Sequence, residues 1–280
     1  MTVRNEEDIL RINVLYHLAT GIDRFLIVDN GSEDATATVL RELGRDPRVL
    51  WSTDPTEYRQ PERLTEMALE ALRRGAAWVV PIDADEFWYV RGASLKDVLG
   101  RSNAGALGVR VLNFIQSRHV RVSRPEALEW MTRRVRNPVG PKEIERDLVE
   151  SRAFAYVETR YPPKWMARTS PELWIGRGNH YVTGVSGESL ETDLVVCLHA
   201  PLRSRAALDK KADDGERIDR EGWPEGTAWH VRRWAQLRRE GLLEREWEAN
   251  SYLGQHLHVH GIVQDLVFDA TLLRCVAPFI

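Results

Sequence analysis

The sequence predicts an α/β protein: a mostly parallel sheet flanked by helices, followed by a helical C-terminal part. Three observations predict it. Short apolar runs alternate with amphipathic segments between Asn5 and Ile82. The apolar runs are continuous rather than alternating, the pattern of strands covered on both faces. Two of them end in acidic turns, at Asp29 and at Asp83. Ligands of parallel α/β sheets sit beyond such strand ends, so both turns are expected on one edge of the sheet.

Asn5 to Thr20 carries Ile9, Ile12, Leu15, Tyr16 and Leu18 at near-helical spacing, and Gly21 ends it. Phe25 to Val28 is a short apolar run closed by Asp29-Asn30-Gly31-Ser32, a strand entering a turn. Asp34 to Leu43 reads as a helix stopped by Gly44, and Val49 to Ser52 as a strand. Pro61 to Arg74 puts Leu64, Met67, Ala68, Ala71 and Leu72 on one side of a helix, and Trp78 to Ile82 is a second buried strand. Ala106 to Ile115 reads as a strand. The stretch 117–150 is rich in arginine and is expected to be a mobile loop or a helical insertion. Ala153–Val157, Trp165–Arg168, Leu173–Ile175 and Leu194–Leu198 are short strand candidates. Ser204 to Arg220 and Thr227 to Glu248 read as amphipathic helices, and the apolar stretch Ile262 to Ile280 is expected to pack on the body. The expected organisation is a core over 1–200 and a mainly helical extension over 201–280 packed on it.

Composition narrows the function. The chain has 280 residues, 43% hydrophobic and 29% charged, which argues against global disorder. With 39 basic and 42 acidic residues, bulk charge gives no footprint for nucleic acid. Five of the basic residues are lysine and the rest arginine, a bias that a GC-rich genome explains without function. No run of about 18 apolar residues exists, so no transmembrane helix is expected. Met1 to Asp8 lacks the apolar core of a secretory signal. Cys197 and Cys275 are too few for a disulfide framework. A cytoplasmic location is expected, with a peripheral membrane association left open. The ten tryptophans read as core or as platforms for a sugar ring.

Four segments could carry chemistry. Trp78-Val79-Val80-Pro81-Ile82-Asp83-Ala84-Asp85-Glu86-Phe87 delivers three carboxylates to a strand end. Side chains alternate in an extended segment, so Asp83 and Asp85 can point the same way. Carboxylates so placed are costly unless a cation or hydrogen bonds neutralise them. Mg2+ or Mn2+ takes oxygen ligands and fills its shell with water and phosphates. A solvated acidic turn is the plainer reading. In Asp29 to Thr36, Gly31 permits the sharp turn and Ser32 or Asp34 can cap the next helix. That segment is either a capped strand-to-helix turn or a nucleoside contact through Asp29. Val3-Arg4-Asn5-Glu6-Glu7 alone is a helix start. His256-Leu257-His258-Val259-His260 sets three imidazoles on one strand face, a metal-ligand spacing that would suit a zinc or iron hydrolase. No further ligand cluster accompanies it, and an exposed mixed strand explains it without metal.

Taken together, the first three segments resemble the family-two-type glycosyltransferases of the GT-A fold. The branch has Arg-Asn-Glu, Asp-Asn-Gly-Ser-x-Asp-x-Thr and Asp-Ala-Asp-Glu-Phe, matched here by Arg4-Asn5-Glu6, Asp29 to Thr36 and Asp83 to Phe87. Pro163-Lys164-Trp165, Gly178-Asn179-His180 and His199-Ala200-Pro201-Leu202-Arg203-Ser204 are similar to its later Lys, Gly-x-His and His-x-x-x-Arg-Ser elements. The resemblance implies a GT-A-like, Rossmann-like core and a nucleotide-diphosphate sugar donor, first of all a UDP-sugar. It implies a divalent metal, Mn2+ or Mg2+, and transfer with inversion to an unknown acceptor: a glycan, a lipid-linked sugar, a peptide or a small natural product.

Carried over by position, Arg4, Asn5, Glu6, Asp29 and Asn30 would meet the nucleoside. Asp83 would face ribose or metal, and Asp85 would ligate the metal. His199 would be its third ligand, with His180 the second choice. Lys164, Arg203 and Lys210 would hold the donor. Glu158 and Glu172, then Glu145 and Asp147, are candidates for the base. The 117–150 stretch would close over the donor as a lid. Relatives carry a longer apolar strand before Arg-Asn-Glu; here Met1 to Val3 precede it, so a very short first strand or a late start is expected.

Two alternatives remain. A sugar-nucleotide nucleotidyltransferase would use similar carboxylates, but its Gly-rich basic phosphate loop is missing. A non-catalytic sugar-nucleotide binder sits poorly with intact Asp83, Asp85 and Glu86. No nucleic-acid partner is expected, and a homodimer through the apolar C-terminus is left open.

Overall fold

Met1–Leu112, Pro162–His199 and Phe279 group into one unit, and Asn113–Tyr161, Ala200–Pro278 and Ile280 into a second. The computed structural model describes residues 1–56, 59–140, 149–151, 153–223, 228–259 and 261–280. The division differs from the expected boundary at 200, because 113–161 groups with the C-terminal part.

The first unit begins with β1 (Thr2–Val3), α1 (Leu10–Thr20), β2 (Phe25–Asp29), α2 (Thr36–Leu43), β3 (Val49–Thr53) and α3 (Gln60–Arg73). The three strands form a parallel sheet in the order β1-β2-β3. The first strand has two residues, paired to Val28 and Asp29. Helix α1 ends at Gly21, whose φ of 119° lies in the left-handed region and lets its N–H reach the His17 carbonyl. Pro61 sits in the first turn of α3, where its missing N–H costs nothing.

The unit continues with β4 (Trp78–Val79), β5 (Glu86–Val90), α4 (Leu95–Arg101), β6 (Ala106–Asn113), β7 (Lys164–Arg168), β8 (Trp174–Ile175), β9 (Val182–Thr183) and β10 (Ser189–His199). Five of these strands form a sheet in the order β4-β7-β6-β10-β5. Here the expectation of a mostly parallel sheet fails, although the α/β class stands. β10 with β5, β4 with β7 and β6 with β7 all pair antiparallel. A continuous apolar run reports burial on two faces, not strand direction, and the partners of β4 and β5 come from far later in the chain. The expected strand Trp78–Ile82 shrinks to two residues. Pro81 has no N–H for a ladder, which ends pairing early. Gly108 on β6 faces Trp165 on β7 so closely that a Cβ would lie 2.9 Å from the indole. The absence of a side chain there lets the ring lie across the sheet.

The second unit holds helices Arg205–Arg220, Trp229–Arg239 and Leu243–Ala249 and a four-stranded sheet of Ile262–Asp265, His256–Val259, Ser251–Leu253 and Gln116–Ser117. The helix expected over Thr227 to Glu248 is two, broken at Gly241, whose φ is 71°. The strand expected at Ala153–Val157 is instead a 3-10 turn at Tyr156–Glu158. Its cause is local: the Ala155 N–H donates to Glu158 Oε2 at 2.7 Å. Trp234 and Trp247 are fully buried and anchor this core with Tyr156, Leu208 and Leu243.

The arginine-rich segment is tied down where it is described. Arg121 pairs with Glu244, Arg134 with Asp269 at 2.8 Å, and Arg133 stacks over the Phe268 ring at 4.6 Å. All of these partners lie in the same unit, so the described part is no free loop; residues 141–148, with Glu145 and Asp147, lie outside the described residues. Among the described residues no helix is long and apolar enough to cross a membrane.

Candidate active site

The first two sequence motifs meet in the first unit. Asp29, buried at the end of β2, accepts from the Ser32 N–H at 3.0 Å and the Ser32 hydroxyl at 2.6 Å. Ser32 Oγ in turn accepts the Asn5 N–H, and Asn5 Oδ1 accepts the Glu33 N–H at 2.8 Å. The Glu6 N–H reaches Thr36 Oγ1 at 2.7 Å, and Arg4 pairs with Glu33 at 3.2 Å. Asn30 donates to the carbonyls of Asp54 and Thr56, holding the loop after β3. The turn is therefore held by local hydrogen bonds, with Asn5 at φ 55° to serve it. The expected cap by Ser32 or Asp34 differs in detail: the N-cap of α2 is Ala35, which has no side-chain cap bond, and Asp34 Oδ1 accepts the Thr36 N–H at 2.9 Å.

The third motif is held differently. β4 stops at Val79 and β5 starts at Glu86, so Asp83 and Asp85 sit in the turn between them. Lys164, the first residue of β7, buries its ammonium between two carboxylates, 2.9 Å from Asp83 and 2.6 Å from Glu86. Burial works to raise the Asp83 carboxyl, and Lys164 outweighs it, so Asp83 sits below the usual carboxylate range. Burial lifts Glu86 to about 8 against the same ammonium. Burial would lower Lys164, but Asp83 and Glu86 hold it well above its ordinary value. One ammonium does not neutralise both carboxylates, and the buried one, Glu86, keeps its proton. Gln60 of α3 joins this group, with Nε2 at 3.5 Å from Asp83 and Oε1 accepting the Gly178 N–H at 3.0 Å.

Asp85 meets a different partner. His199, the last residue of β10, is register partner to Glu86, and its Nε2 lies 3.6 Å from Asp85 Oδ1. Both side chains are nine-tenths buried. Cis ligands of one octahedral ion with bonds near 2.1 Å stand roughly 3 Å apart, so this pair fits one metal with little adjustment. Among the described residues no cluster of three or more His, Cys, Asp or Glu is gathered for a metal. Asp83 is engaged by Lys164, and His180 Nδ1 faces the Pro163 carbonyl at 3.2 Å. Next to His180, Gly178 and Asn179 both take positive φ, and Asn179 Nδ2 donates to the Pro81 carbonyl, bracing the loop against the acidic segment. Cys197 is buried two residues before His199, and burial followed by the nearby carboxylates pushes its thiol well up, so it is no nucleophile.

The other candidates lie elsewhere. Glu172 is exposed and accepts from the Ser170 hydroxyl at 2.8 Å. Glu158, Arg203 and Lys210 belong to the second unit. Burial raises the Glu158 carboxyl, and its Oε2 is occupied by its own turn. The Arg203 carbonyl accepts from Gln116 Nε2 at 2.6 Å, and Lys210 is half-buried on the helix Arg205–Arg220. In the histidine strand, His256 Nδ1 lies 2.8 Å from Asp265 on the neighbouring strand, His258 is exposed, and His260 lies outside the described residues.

The sequence reading missed Asn13 and His17. Both are fully buried on α1, and Asn13 hydrogen-bonds the carbonyls of Ala84 and Glu86. Their signal was two polar residues four apart among Ile12, Val14 and Tyr16.

No protein-family model matches the chain. A glycosyltransferase family 92 protein of Oryza sativa subsp. japonica is 30% identical over 153 residues, 51% of this chain and 26% of that protein. A glycosyltransferase family 92 protein of Ricinus communis is 35% identical over 109 residues, 37% of this chain and 19% of that protein. The chain thus spans 26% or less of the length of these curated relatives. Among solved structures, the crystal structure of S. aureus TarS 1–349 aligns over 96% of each chain at 14% identity, with a TM-score of 0.40.

Proposed function

We propose that the chain is a metal-dependent glycosyltransferase that moves a sugar from a nucleotide-diphosphate donor, a UDP-sugar first, to an acceptor hydroxyl with inversion. The observation that carries this reading is the buried Asp85–His199 pair at the end of an acidic turn whose remaining carboxylates are already held by Lys164. Similarity to one glycosyltransferase family 92 protein over 51% of the chain and to another over 37% supports it.

Asp85 and His199 would hold Mn2+ or Mg2+, whose chemistry is to offset the charge that builds on the leaving diphosphate. The chain's own residues supply the rest. Lys164 keeps Asp83 ionised and places it beside the metal pair, as an acceptor for a ribose hydroxyl. The Arg4–Glu6 and Asp29–Thr36 segments, locked together, offer a rigid edge for the nucleoside. In the transfer, the acceptor oxygen bonds to the anomeric carbon and gives up its proton to solvent, the bond from that carbon to the diphosphate oxygen breaks, and UDP leaves with the bonding electron pair.

The test is UDP release from a panel of UDP-sugars with Mn2+. Release by the wild type and its loss in Asp85→Ala, with the fold intact by circular dichroism, is the expected result. Equal release by Asp85→Ala would overturn the assignment.

A further inference from the structure

Asn13 Nδ2 donates to the Glu86 carbonyl at 2.7 Å and to the Ala84 carbonyl at 3.0 Å, with the Asp83 carbonyl at 3.4 Å. A side-chain amide has two N–H donors, so both are spent on the acidic turn. On the other side of Asn13, His17 Nδ1 lies 3.1 Å from Oδ1 and 2.9 Å from the Asn13 carbonyl. The Trp88 N–H points at His17 Nε2 at 3.1 Å. A backbone N–H can only donate, so Nε2 accepts, and in a neutral imidazole the proton then sits on Nδ1. Burial lowers His17 to about 4, which keeps the ring neutral. Nδ1–H faces Asn13 and fixes its amide with the oxygen toward His17 and the NH2 toward the turn.

The network thus runs from Trp88 through His17 and Asn13 to the carbonyls of Ala84 and Glu86. Every member is buried. Two polar side chains on an otherwise apolar helix face are costly unless their partners are matched. Here the partners are the backbone of the one irregular segment between β4 and β5. The segment's carbonyls turn toward α1, while Asp83 meets Lys164 and Asp85 meets His199.

We propose that Asn13 and His17 are positioning residues: they clamp the Asp83–Glu86 backbone so that Asp85 and Asp83 meet a metal–nucleotide pair without rearranging. This rests on the donor-site reading above. Neither residue touches the ligand; both act through the turn.

The experiment uses the full chain and two readouts. Hydrogen–deuterium exchange over 83–90 reads the clamp itself, and calorimetric titration of UDP with Mn2+ reads its consequence. Asn13→Leu and His17→Phe remove the polar links and keep the branched and planar shapes of the side chains. His17→Gln keeps an acceptor for the Trp88 N–H and has no N–H at the Nδ1 position that faces Asn13, which guards against a variant that fails to fold. Leu40→Ala, a core truncation in α2, is the control for general destabilisation. The expected result is at least tenfold faster exchange over 83–90 and at least tenfold weaker UDP affinity in folded Asn13→Leu, a smaller loss in His17→Gln, and unchanged affinity in Leu40→Ala. Native exchange and affinity in the folded variants would overturn the proposal, as would an equal affinity loss in Leu40→Ala. Faster exchange in a protein whose wild type binds no UDP would support the clamp and sink the donor reading, which separates the two failures.

Discussion

Asp29 and Asp83 each follow a strand and open an acidic turn, yet their partners lie at very different distances along the chain. Asp29 is answered by Ser32, three residues on, and the Arg4–Glu6 segment closes over that turn through backbone and side-chain hydrogen bonds. The Asp83–Glu86 turn is answered by Lys164 from β7, His199 from β10 and Asn13 from α1. The first turn satisfies itself. The second needs a cation and a buried relay from three separate elements. A turn assembled at that cost keeps carboxylates where they are electrostatically unfavourable, and such unfavourable placement is where binding of a cationic or metal-bound ligand is expected.

The contrast can be broken most forcefully at Lys164. Lys164→Met leaves Glu86 and part-exposed Asp83 without their cation. Breaking a buried pair by removing one partner costs about 3 kcal/mol or more. Urea unfolding at pH 7 checks this, and a loss under about 1 kcal/mol would mean that the trio is no tighter than a surface pair.

A smaller effect follows from His17. Its folded-state value, lowered from 6.5 to about 4, means that the unfolded chain binds the proton more readily. Its contribution is complete above 6.5 and is lost as pH falls toward 4. Between pH 7 and pH 5 the stability drop from this one group is about 2 kcal/mol. Urea unfolding across that range reads it, and His17→Phe should flatten that part of the slope. The smallest effect belongs to the self-contained turn: Ser32→Ala removes one link of the Asp29 cap and costs about 1 kcal/mol. A thermal melt showing Ser32→Ala to be as damaging as Lys164→Met would erase the comparison.

These differences also explain what was legible in the sequence. The segment Phe25 to Thr36 reads almost directly, because strand, Gly31, cap and helix answer one another within a dozen residues. Helix α3 and the short strand β3 are readable for the same reason. β5 was not seen as a strand, because its ladder partner, β10, lies about a hundred residues further on. Lys164 entered only through family resemblance, since nothing local marks a lysine as the counter-ion of Asp83. Asn13 and His17 stayed hidden because a helical pattern scores polar residues as surface, whereas here they are the buried face. At the site, Asp83, Asp85 and His199 were named in advance, and the structure joins Asp85 to His199 while giving Asp83 to Lys164. Short-range physics writes itself into spacing; long-range electrostatic pairing does not.

The most direct measurement is calorimetric titration of UDP into the wild type, Asp85→Ala and the core control Leu40→Ala, each with and without Mn2+. The account predicts UDP binding that needs Mn2+, that disappears in Asp85→Ala and that survives in Leu40→Ala. Mn2+-dependent UDP binding that persists in Asp85→Ala would contradict it.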